Sequence, residues 1–298
     1  MKLKGKVALI AGGGQGIGEG ISLCLAEEGA DVAIADIKGD NAKRVAEKAK
    51  SLGRKVLAIS ADLTEEDEVK RAVQETVAFF GRIDILINNV GGISLETHMQ
   101  IVEQYRIPGN ETLPPFMNFK SKIWDQYYQL NLKTHVMLTQ AVTPYFIKQG
   151  SGKIVNISSV SGRIPEPRHM PYASMKAGDI SLTWSLASAL APYNVTVNCI
   201  CPGLVYTPLW DRSIIIERDG LREAKAKGQN LPPGVDPDDI DNLTPKELWL
   251  KYYVRPGTPL GREQTVEDIG RAAVFLVSDD AKNITGQVLH VDGGLAMR

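Results

Sequence analysis

A tyrosine and a lysine in the segment MPYASMK (residues 170–176) have the spacing of a proton-transfer pair. Tyr172 and Lys176 are four residues apart, so on a helix they lie on one face, one turn from each other. A free phenol loses its proton near pH 10, which makes it a poor base at neutral pH, and a nearby ammonium stabilises the phenolate. Chance also supplies such a pair in a chain with nine tyrosines, so neighbouring motifs have to decide.

A glycine-rich segment, AGGGQGIG (residues 11–18), follows an apolar run and opens an amphipathic stretch. Its glycines fit GxGxxG in no register, but Gly12, Gly16 and Gly18 fit the wider spacing GxxxGxG. Glycines allow a tight turn and let a pyrophosphate approach the backbone amides at the positive end of a helix. The position between a strand and a helix therefore predicts nucleotide binding rather than a plain glycine-rich turn.

An acidic residue at the end of the second apolar run bears on the choice of nucleotide. Asp36 follows the glycine turn by about twenty residues, where a carboxylate can accept hydrogen bonds from both hydroxyls of an adenosine ribose. It would repel the 2′-phosphate of NADP. Gln15 inside the turn is neutral, and Lys38 is a single nearby cation. These residues favour NAD over NADP; the alternative is an ordinary exposed acid at a strand end.

Short β-branched apolar runs alternate with amphipathic stretches along the whole chain, which is typical of parallel strands joined by helical crossovers. Strands are predicted at residues 6–12, 31–37, 55–62, 82–89, 152–159, 195–202 and 287–294. Helices are predicted at residues 16–29, 40–52, 65–80, 121–149, 172–191 and 265–278. We expect Gly29 to end the first of these helices, Thr64 to cap the third, and Pro144 to interrupt the fourth.

This order predicts an α/β fold: a Rossmann-type doubly wound parallel sheet of about seven strands with helices on both faces, in one domain over residues 1–298. Two stretches interrupt the alternation directly after strand ends, where such sheets bind ligands. We interpret residues 92–120 as an inserted loop and residues 206–260, with short helical pieces at 210–228 and 244–253, as a substrate-lid region.

With its elements in this order, the chain resembles the short-chain dehydrogenase/reductase (SDR) family over nearly its whole length. Ala11 and Val90 depart from the family pattern, which has threonine and alanine there. The matching residues are Gly12, Gly16 and Gly18 of TGxxxGIG, Asp62 after the third strand, Asn88-Asn89-Val90-Gly91 for NNAG, Asn131 in the central helix, Ser159 thirteen residues before Tyr172, Lys176, and Pro202-Gly203-Leu204-Val205-Tyr206-Thr207.

The resemblance implies a catalytic set of Asn131, Ser159, Tyr172 and Lys176. Tyr172 would take or give the proton of a substrate hydroxyl, while Lys176 would supply charge and bind the nicotinamide ribose. Ser159 would bind the substrate oxygen, with Ser158 as a competing candidate. Asn131 would hold a water that links the lysine to solvent, or be a plain polar residue in a helix.

The resemblance and the glycine turn together give a predicted set of cofactor-binding residues. We expect this set to line the cofactor cleft from the glycine turn to the nicotinamide. Its members are Gly12, Gln15, Gly16, Ile17, Gly18, Asp36, Ile37, Asp62, Leu63, Asn89, Val90, Gly91, Tyr172, Lys176, Pro202, Gly203, Val205 and Thr207.

Some residues near these motifs leave two interpretations open. His169, just before Tyr172, could contact substrate or be solvated. Aromatic and apolar residues of the two long stretches could form a lid over a substrate, or simply pack those stretches on the domain. They are Phe116, Phe119, Tyr206, Leu209, Trp210 and Trp249.

Composition limits the function classes. The net charge is −1 with interleaved signs, so a nucleic-acid partner is not expected, and no apolar run is long enough for a membrane span. Three cysteines without a CxxC pair indicate a reducing, cytoplasmic environment, and the four scattered histidines predict no metal site. No GxSxG occurs, which argues against a serine hydrolase.

The predicted function is NAD(H)-dependent interconversion of a secondary alcohol and a ketone on a small-molecule substrate. The alternatives are an NADPH-dependent 3-oxoacyl-thioester ketoreductase and a non-catalytic nucleotide-binding scaffold on the same fold. The family resemblance further implies a homo-oligomer, a tetramer or a dimer.

Overall fold

A seven-stranded parallel sheet runs through the computed structural model, which describes residues 1–93 and 115–297. The predicted fold class is thereby confirmed. Most of the predicted insert at residues 92–120 lies outside the described residues. The strands are β1 (Val7–Ala11), β2 (Asp31–Asp36), β3 (Val56–Ser60), β4 (Ile85–Asn88), β5 (Gly152–Ile157), β6 (Val195–Pro202) and β7 (Val288–Val291).

The strand order is β3-β2-β1-β4-β5-β6-β7, and every neighbouring pair is parallel. Ile10 in the central strand lies level with Ile34 on one side and Ile87 on the other. The order reverses between β1 and β4. Their carboxyl ends meet there, so the segments after these strands, which carry Gly12 and Asn89, flank one crevice.

Helices cover both faces of the sheet, because strands that are apolar at every position need burial on both sides. One buried cluster packs α1, α2 and α9 on the sheet, and a second packs α3, α5 and α6 on the opposite face. The longer helices are α1 (Gly16–Glu27), α2 (Gly39–Ser51), α3 (Glu66–Phe80), α4 (Ser121–Tyr128), α5 (Thr134–Gln149), α6 (Met170–Leu190), α7 (Pro208–Ala226), α8 (Pro237–Asn242) and α9 (Val266–Val277).

Helix ends agree with the sequence at one position and differ at another. Gly29 follows the end of α1 with φ +99°, as expected for a terminating glycine. The prediction that Thr64 caps α3 is wrong. The residue before that helix is Glu65, and the Thr64 hydroxyl instead donates to the Asp62 carboxylate at 2.6 Å. The Asp62 carboxylate also accepts the Thr64 backbone N–H, so it holds the Thr64 side chain in a local turn and away from the backbone amides of α3.

The predicted interruption of the central helix lies elsewhere. Pro144 sits inside the unbroken helix α5, whose buried Val142 and Phe146 pack on the sheet and outweigh one missing hydrogen bond. The irregularity is a π-helical turn at Gln129–Lys133, between α4 and α5. This turn contains Asn131, and π-turns concentrate at functional sites.

The region at residues 206–260 is more helical than the short pieces that the sequence predicts. It contains the 19-residue α7, then α8, then a helix at Pro245–Trp249 that continues through a π-turn at Leu250–Val254. These segments pack around Trp249, which is fully buried, in a small cluster of their own. Trp249 therefore packs the region rather than forming a lid surface.

None of the helices in the described part of the chain is both long enough and apolar enough to cross a membrane.

Candidate active site

A cavity of about 850 Å³ opens at the carboxyl edge of the sheet. Its walls come from the segments that follow all seven strands, together with the start of α6 and the first turns of α7. Because all strands are parallel, their carboxyl ends deliver these segments to one edge. The cavity therefore gathers residues as far apart in the chain as Gly12 and Leu295.

The glycine turn forms one end of the cavity. Gly12 and Gly16 have φ values of +73° and +54°, a conformation that favours glycine. The carbonyl of Gly12 accepts a hydrogen bond from the Asn89 side chain at 2.9 Å. A methyl group on Gly18 would lie 1.9 Å from that carbonyl, so Gly18 lets α1 approach β1 closely. Gly18 itself does not line the cavity.

Asp36 lies beside this turn and is almost fully buried. Its carboxylate accepts the backbone N–H of Gly14 at 3.0 Å and that of Lys38 at 2.9 Å. Arg44 also reaches the turn, where it donates to the Gly14 carbonyl at 3.0 Å. Both terminal nitrogens of that guanidinium are held by Glu19, at 2.7 and 2.6 Å. This end of the cavity thus presents a carboxylate and an arginine already engaged with another acid.

The two candidate serines after β5 face different ways. The Ser158 hydroxyl donates to the Lys176 carbonyl at 2.7 Å, and its side chain is buried. Ser159 begins a short 3₁₀ turn, and its hydroxyl accepts the backbone N–H of Ser161 at 3.1 Å. The Ser159 hydroxyl proton is not used in that bond, so it remains available for an acceptor in the cavity.

Tyr172 and Lys176 lie in the first two turns of α6, as their spacing predicts. The Lys176 ammonium is 5.9 Å from the centre of the Tyr172 ring and donates to the Ile157 carbonyl at 2.9 Å. Burial, the largest single influence, would by itself lower the pKa of Lys176, but the charge and hydrogen bond of Asp179, together with the charge of Tyr172, outweigh it, and the pKa is raised. The ammonium therefore stays charged beside the phenol.

Asn131 lies behind the cavity wall in the π-turn, fully buried. Its Oδ1 accepts the backbone N–H of Gly92 at 2.7 Å, and its Nδ2 donates to the Gly92 and Tyr127 carbonyls, both at 3.2 Å. The side chain thereby fixes the segment after β4 to the central helix. The cavity lining does not include Asn131.

Two buried residues that sequence reasoning missed lie behind Lys176. Asp179, one turn further along α6, accepts from the lysine ammonium at 3.1 Å. Its other carboxylate oxygen is 2.8 Å from Nδ1 of His135 on α5, and Nε2 of that ring is 2.9 Å from the Val90 carbonyl. The i, i+3 spacing of Lys176 and Asp179 was the available signal. Nothing in the sequence indicated the partner on the other helix.

Eighteen of the twenty predicted site residues line this one cavity, the exceptions being Gly18 and Asn131. Other lining residues lie outside this predicted set. They include Ser161, Ile164, Glu166, Pro167, Arg168, Leu204, Pro208, Ser213, Tyr253 and Leu295.

One wall of the cavity is partly aromatic. The rings of Trp210 and Tyr253 pack edge to face, 5.5 Å between centres, and Leu209 lies beside them on the wall. Burial raises the pKa of Tyr253, with the nearby charge of Glu217 adding to the effect, so the phenol stays neutral. Trp210 and Leu209 therefore face the cavity, in contrast to Trp249.

His169 lies at the cavity wall, mostly buried, with Nδ1 3.7 Å from a Glu166 oxygen. The proximity of His169 holds the pKa of Glu166 below its usual value. The solvated interpretation of His169 is thus less favoured than a role at the wall. Of the other residues with two interpretations, Phe116 is exposed, and Tyr206 packs on Trp249 with ring centres 5.1 Å apart.

The chain is similar to known proteins over its whole length. The family model described as short chain dehydrogenase matches residues 6–214, and one described as enoyl-(acyl carrier protein) reductase matches residues 246–296. The 3-oxoacyl-[acyl-carrier-protein] reductase FabG of Thermotoga maritima is 33% identical over 297 residues, covering 100% of both chains. The protein of the same name from Staphylococcus aureus is 35% identical over 294 residues, covering 98% of each.

A solved structure gives the same picture of the fold. A 7α-hydroxysteroid dehydrogenase in complex with NADH and 7-oxo glycochenodeoxycholic acid superposes with a TM-score of 0.75 at 29% identity. The match covers 98% of this chain and 95% of that one.

Proposed function

Since this chain belongs to the short chain dehydrogenase family, we propose that it is an NAD(H)-dependent oxidoreductase that interconverts a secondary alcohol and a ketone. The observation that carries the proposal is the Tyr172–Lys176 pair. A charged ammonium lies 5.9 Å from the phenol ring, and both residues line the cavity whose far end is formed by the glycine turn and Asp36. A pure nucleotide-binding scaffold would have no use for such a pair.

The residues of the cleft fit a dinucleotide. Gly12 and Gly16 have the backbone conformation of a tight turn at the amino end of α1, where an anionic pyrophosphate is stabilised. Asp36 would accept hydrogen bonds from the adenosine ribose, and Asp62 would lie near the adenine. Asn89, Val205 and Thr207 would line the nicotinamide end.

A nicotinamide cofactor held in this cleft would supply the redox chemistry: the substrate's carbinol carbon would give up a hydride to it in oxidation, and the carbonyl carbon would receive one from it in reduction. Tyr172 takes the hydroxyl proton when the alcohol is oxidised and returns it when the ketone is reduced. Lys176 favours the phenolate and binds the nicotinamide ribose. The Ser159 hydroxyl donates to the substrate oxygen and polarises it, while Asn131 holds the segment around Gly92 and a water that links the lysine to solvent.

The cofactor preference follows from charge. A 2′-phosphate beside Asp36 would meet a buried carboxylate, and the guanidinium of Arg44 is occupied by Glu19. NAD is therefore preferred over NADP. A solved relative with NADH bound gives the same direction.

The names of similar proteins suggest a second candidate function. Proteins named 3-oxoacyl-[acyl-carrier-protein] reductase match the chain over 98% or more of its length, which supports a thioester-linked 3-ketone as substrate. The wall of Trp210, Tyr253 and Leu209 instead favours a cyclic or aromatic ketone, since such rings bury well against flat apolar surfaces. A panel of secondary alcohols, cyclic ketones and 3-oxoacyl thioesters, assayed with NAD(H) and NADP(H) by absorbance of the reduced nicotinamide, separates the two.

The catalytic assignment is tested with Tyr172→Phe. We expect kcat/KM to fall by about 10²–10⁴-fold, because the proton donor is lost, while NAD still binds. Tyr128→Phe is the matched control, since that ring is almost half exposed on α4 and lies outside the cavity lining. Undiminished turnover in Tyr172→Phe would contradict the catalytic role of Tyr172, whereas a wild type without turnover on any substrate of the panel would leave the nucleotide-binding scaffold.

We also propose a homo-oligomer, a tetramer or a dimer, in the cytoplasm. All three cysteines are free thiols and buried, as suits a reducing compartment. Light scattering on the purified chain measures the assembly, and a monomeric mass would contradict it.

A further inference from the structure

We infer that His135 and Asp179 form a buried proton-holding pair that positions Lys176 and keeps one net positive charge behind Tyr172. The inference rests on the proposed function for its catalytic consequence, but not for its charge state. It begins with a difficulty. A carboxylate 3.1 Å from the ammonium would cancel the charge that makes the phenol useful.

The contacts of His135 resolve this difficulty. Its Nδ1 is 2.8 Å from an Asp179 oxygen and its Nε2 is 2.9 Å from the Val90 carbonyl. A carbonyl only accepts hydrogen bonds, and so does an ionised carboxylate. A neutral imidazole has one N–H, so it would leave one of these two contacts as a pair of facing acceptors. Satisfying both contacts needs one additional proton on the His135–Asp179 pair.

The ring is where that proton belongs. Asp179 also accepts from the Lys176 ammonium at 3.1 Å, and this neighbouring cation favours the ionised carboxylate over a protonated one, so the additional proton resides on the His135 ring. An ionised Asp179 then lies between two cations, the Lys176 ammonium and the His135 imidazolium. The three groups together carry one positive charge, the same as a lone lysine.

Burial makes this charge effective. His135 and Asp179 are fully buried and Lys176 is 3% exposed, so solvent screens the trio weakly. Among the described residues, the other titratable groups that act on the trio are Tyr172 on α6 and Cys199 on β6. A hydrogen bond with Cys201 and, as the second-largest cause, burial raise the pKa of Cys199 well above its usual value. The Cys199 thiol is therefore neutral.

The trio also fixes position. Asp179 holds the ammonium from the side of α6, and His135 joins α5 to the carbonyl of Val90, next to Gly91 in the cofactor cleft. His135 and Asp179 touch neither the cavity nor any reacting atom, so they are positioning residues.

The charge state is tested first, without turnover. Nitrogen-15 NMR of the histidine rings at pH 7.5, with His135→Gln used to assign the signal, should give two protonated ring nitrogens for His135. A neutral ring, with one nitrogen lacking hydrogen, would overturn the inference. This measurement stands even if Tyr172→Phe keeps its activity and the proposed function fails.

The catalytic consequence is tested by the pH profile of kcat/KM. His135→Gln leaves Lys176 paired with Asp179 and no net charge, so the pH midpoint assigned to Tyr172 should rise by about one unit. Asp179→Asn removes the negative charge and allows His135 to be neutral, so Lys176 still carries one net positive charge. The pH midpoint of this variant should therefore stay near that of the wild type, although kcat falls.

The double variant His135→Gln/Asp179→Asn decides between charge and structure. It restores one net positive charge, carried by Lys176, so its pH midpoint should return toward that of the wild type. If the two residues only supported the fold, the double variant would be at least as impaired as His135→Gln, and the midpoint would not return. Thermal melting and NAD binding of each variant identify any that fail to fold.

Discussion

Gly91 is the residue on which the proposed catalytic groups converge. A methyl group there would lie 2.8 Å from Oδ1 of Asn131 and 3.1 Å from the Lys176 ammonium. Its φ is +155°, outside the range that side chains adopt readily. The glycine of the NNxG motif is therefore needed for close approach as well as for backbone conformation.

Gly91→Ala tests this close approach. We expect kcat to fall at least tenfold, because the methyl group displaces either Asn131 or the lysine ammonium. Gly92→Ala is the matched control: its φ is +149°, so it carries a similar backbone strain, but a methyl group there meets nothing within 4 Å. Equal kcat values for the two variants would contradict the role assigned to the contact.

Asp36→Asn tests the preference for NAD. Removing the charge should raise the ratio of kcat/KM for NADP over that for NAD about tenfold, because a 2′-phosphate would no longer face a carboxylate. Asp40→Asn is the control, since that side chain is 99% exposed in the first turn of α2. A ratio that changes equally in both variants would mean that only the overall charge matters.

At the scale of elements, the termini of helices are set by short-range bonds that the sequence contains. Thr265 and Asp268 at the start of α9 form a capping box, in which each side chain accepts the other's backbone N–H, at 2.7 and 3.1 Å. This capping box fixes the start of α9, the helix that packs against α1. The two helices are so close that a methyl group on Gly20 of α1 would lie 2.5 Å from the Val266 carbonyl.

Thr265→Ala should lower the free energy of unfolding by about 1 kcal/mol, because the Asp268 N–H loses its acceptor. The melting temperature, followed by circular dichroism, should fall by about 2 °C. Thr265→Ser keeps a hydroxyl at the cap and should retain most of the stability. A loss as large in the serine variant would show that the methyl group, not the cap, is responsible.

The strands and most helices could be predicted because their signals are local. Apolar runs such as that of β1 and glycine at the end of α1 act within a few residues. The cap at Thr64 and the break at Pro144 were predicted by the same local rules and failed. At Thr64 the competing acceptor, Asp62, was two residues away, and at Pro144 tertiary packing outweighed the lost bond.

At the scale of the whole molecule, ligand binding couples to folding because the cavity takes its walls from the segments after all seven strands. NAD at about 100 times its dissociation constant should stabilise the chain by about 2.7 kcal/mol and raise the melting temperature by several degrees. Tyr172→Phe should give a similar rise. If saturating NAD left the melting temperature of the wild type unchanged, the cleft would not be a dinucleotide site.

The sequence by itself determined the doubly wound sheet and the motifs after its strands, since parallel strands bring their carboxyl ends to one edge whatever the details of packing. Only the tertiary structure decided which residues lie behind that edge. It set Asp179 against His135, 44 residues earlier, put Gly18 behind the cavity and buried Trp249. Such contacts depend on how two helices pack, and no spacing within one segment encodes a partner on another.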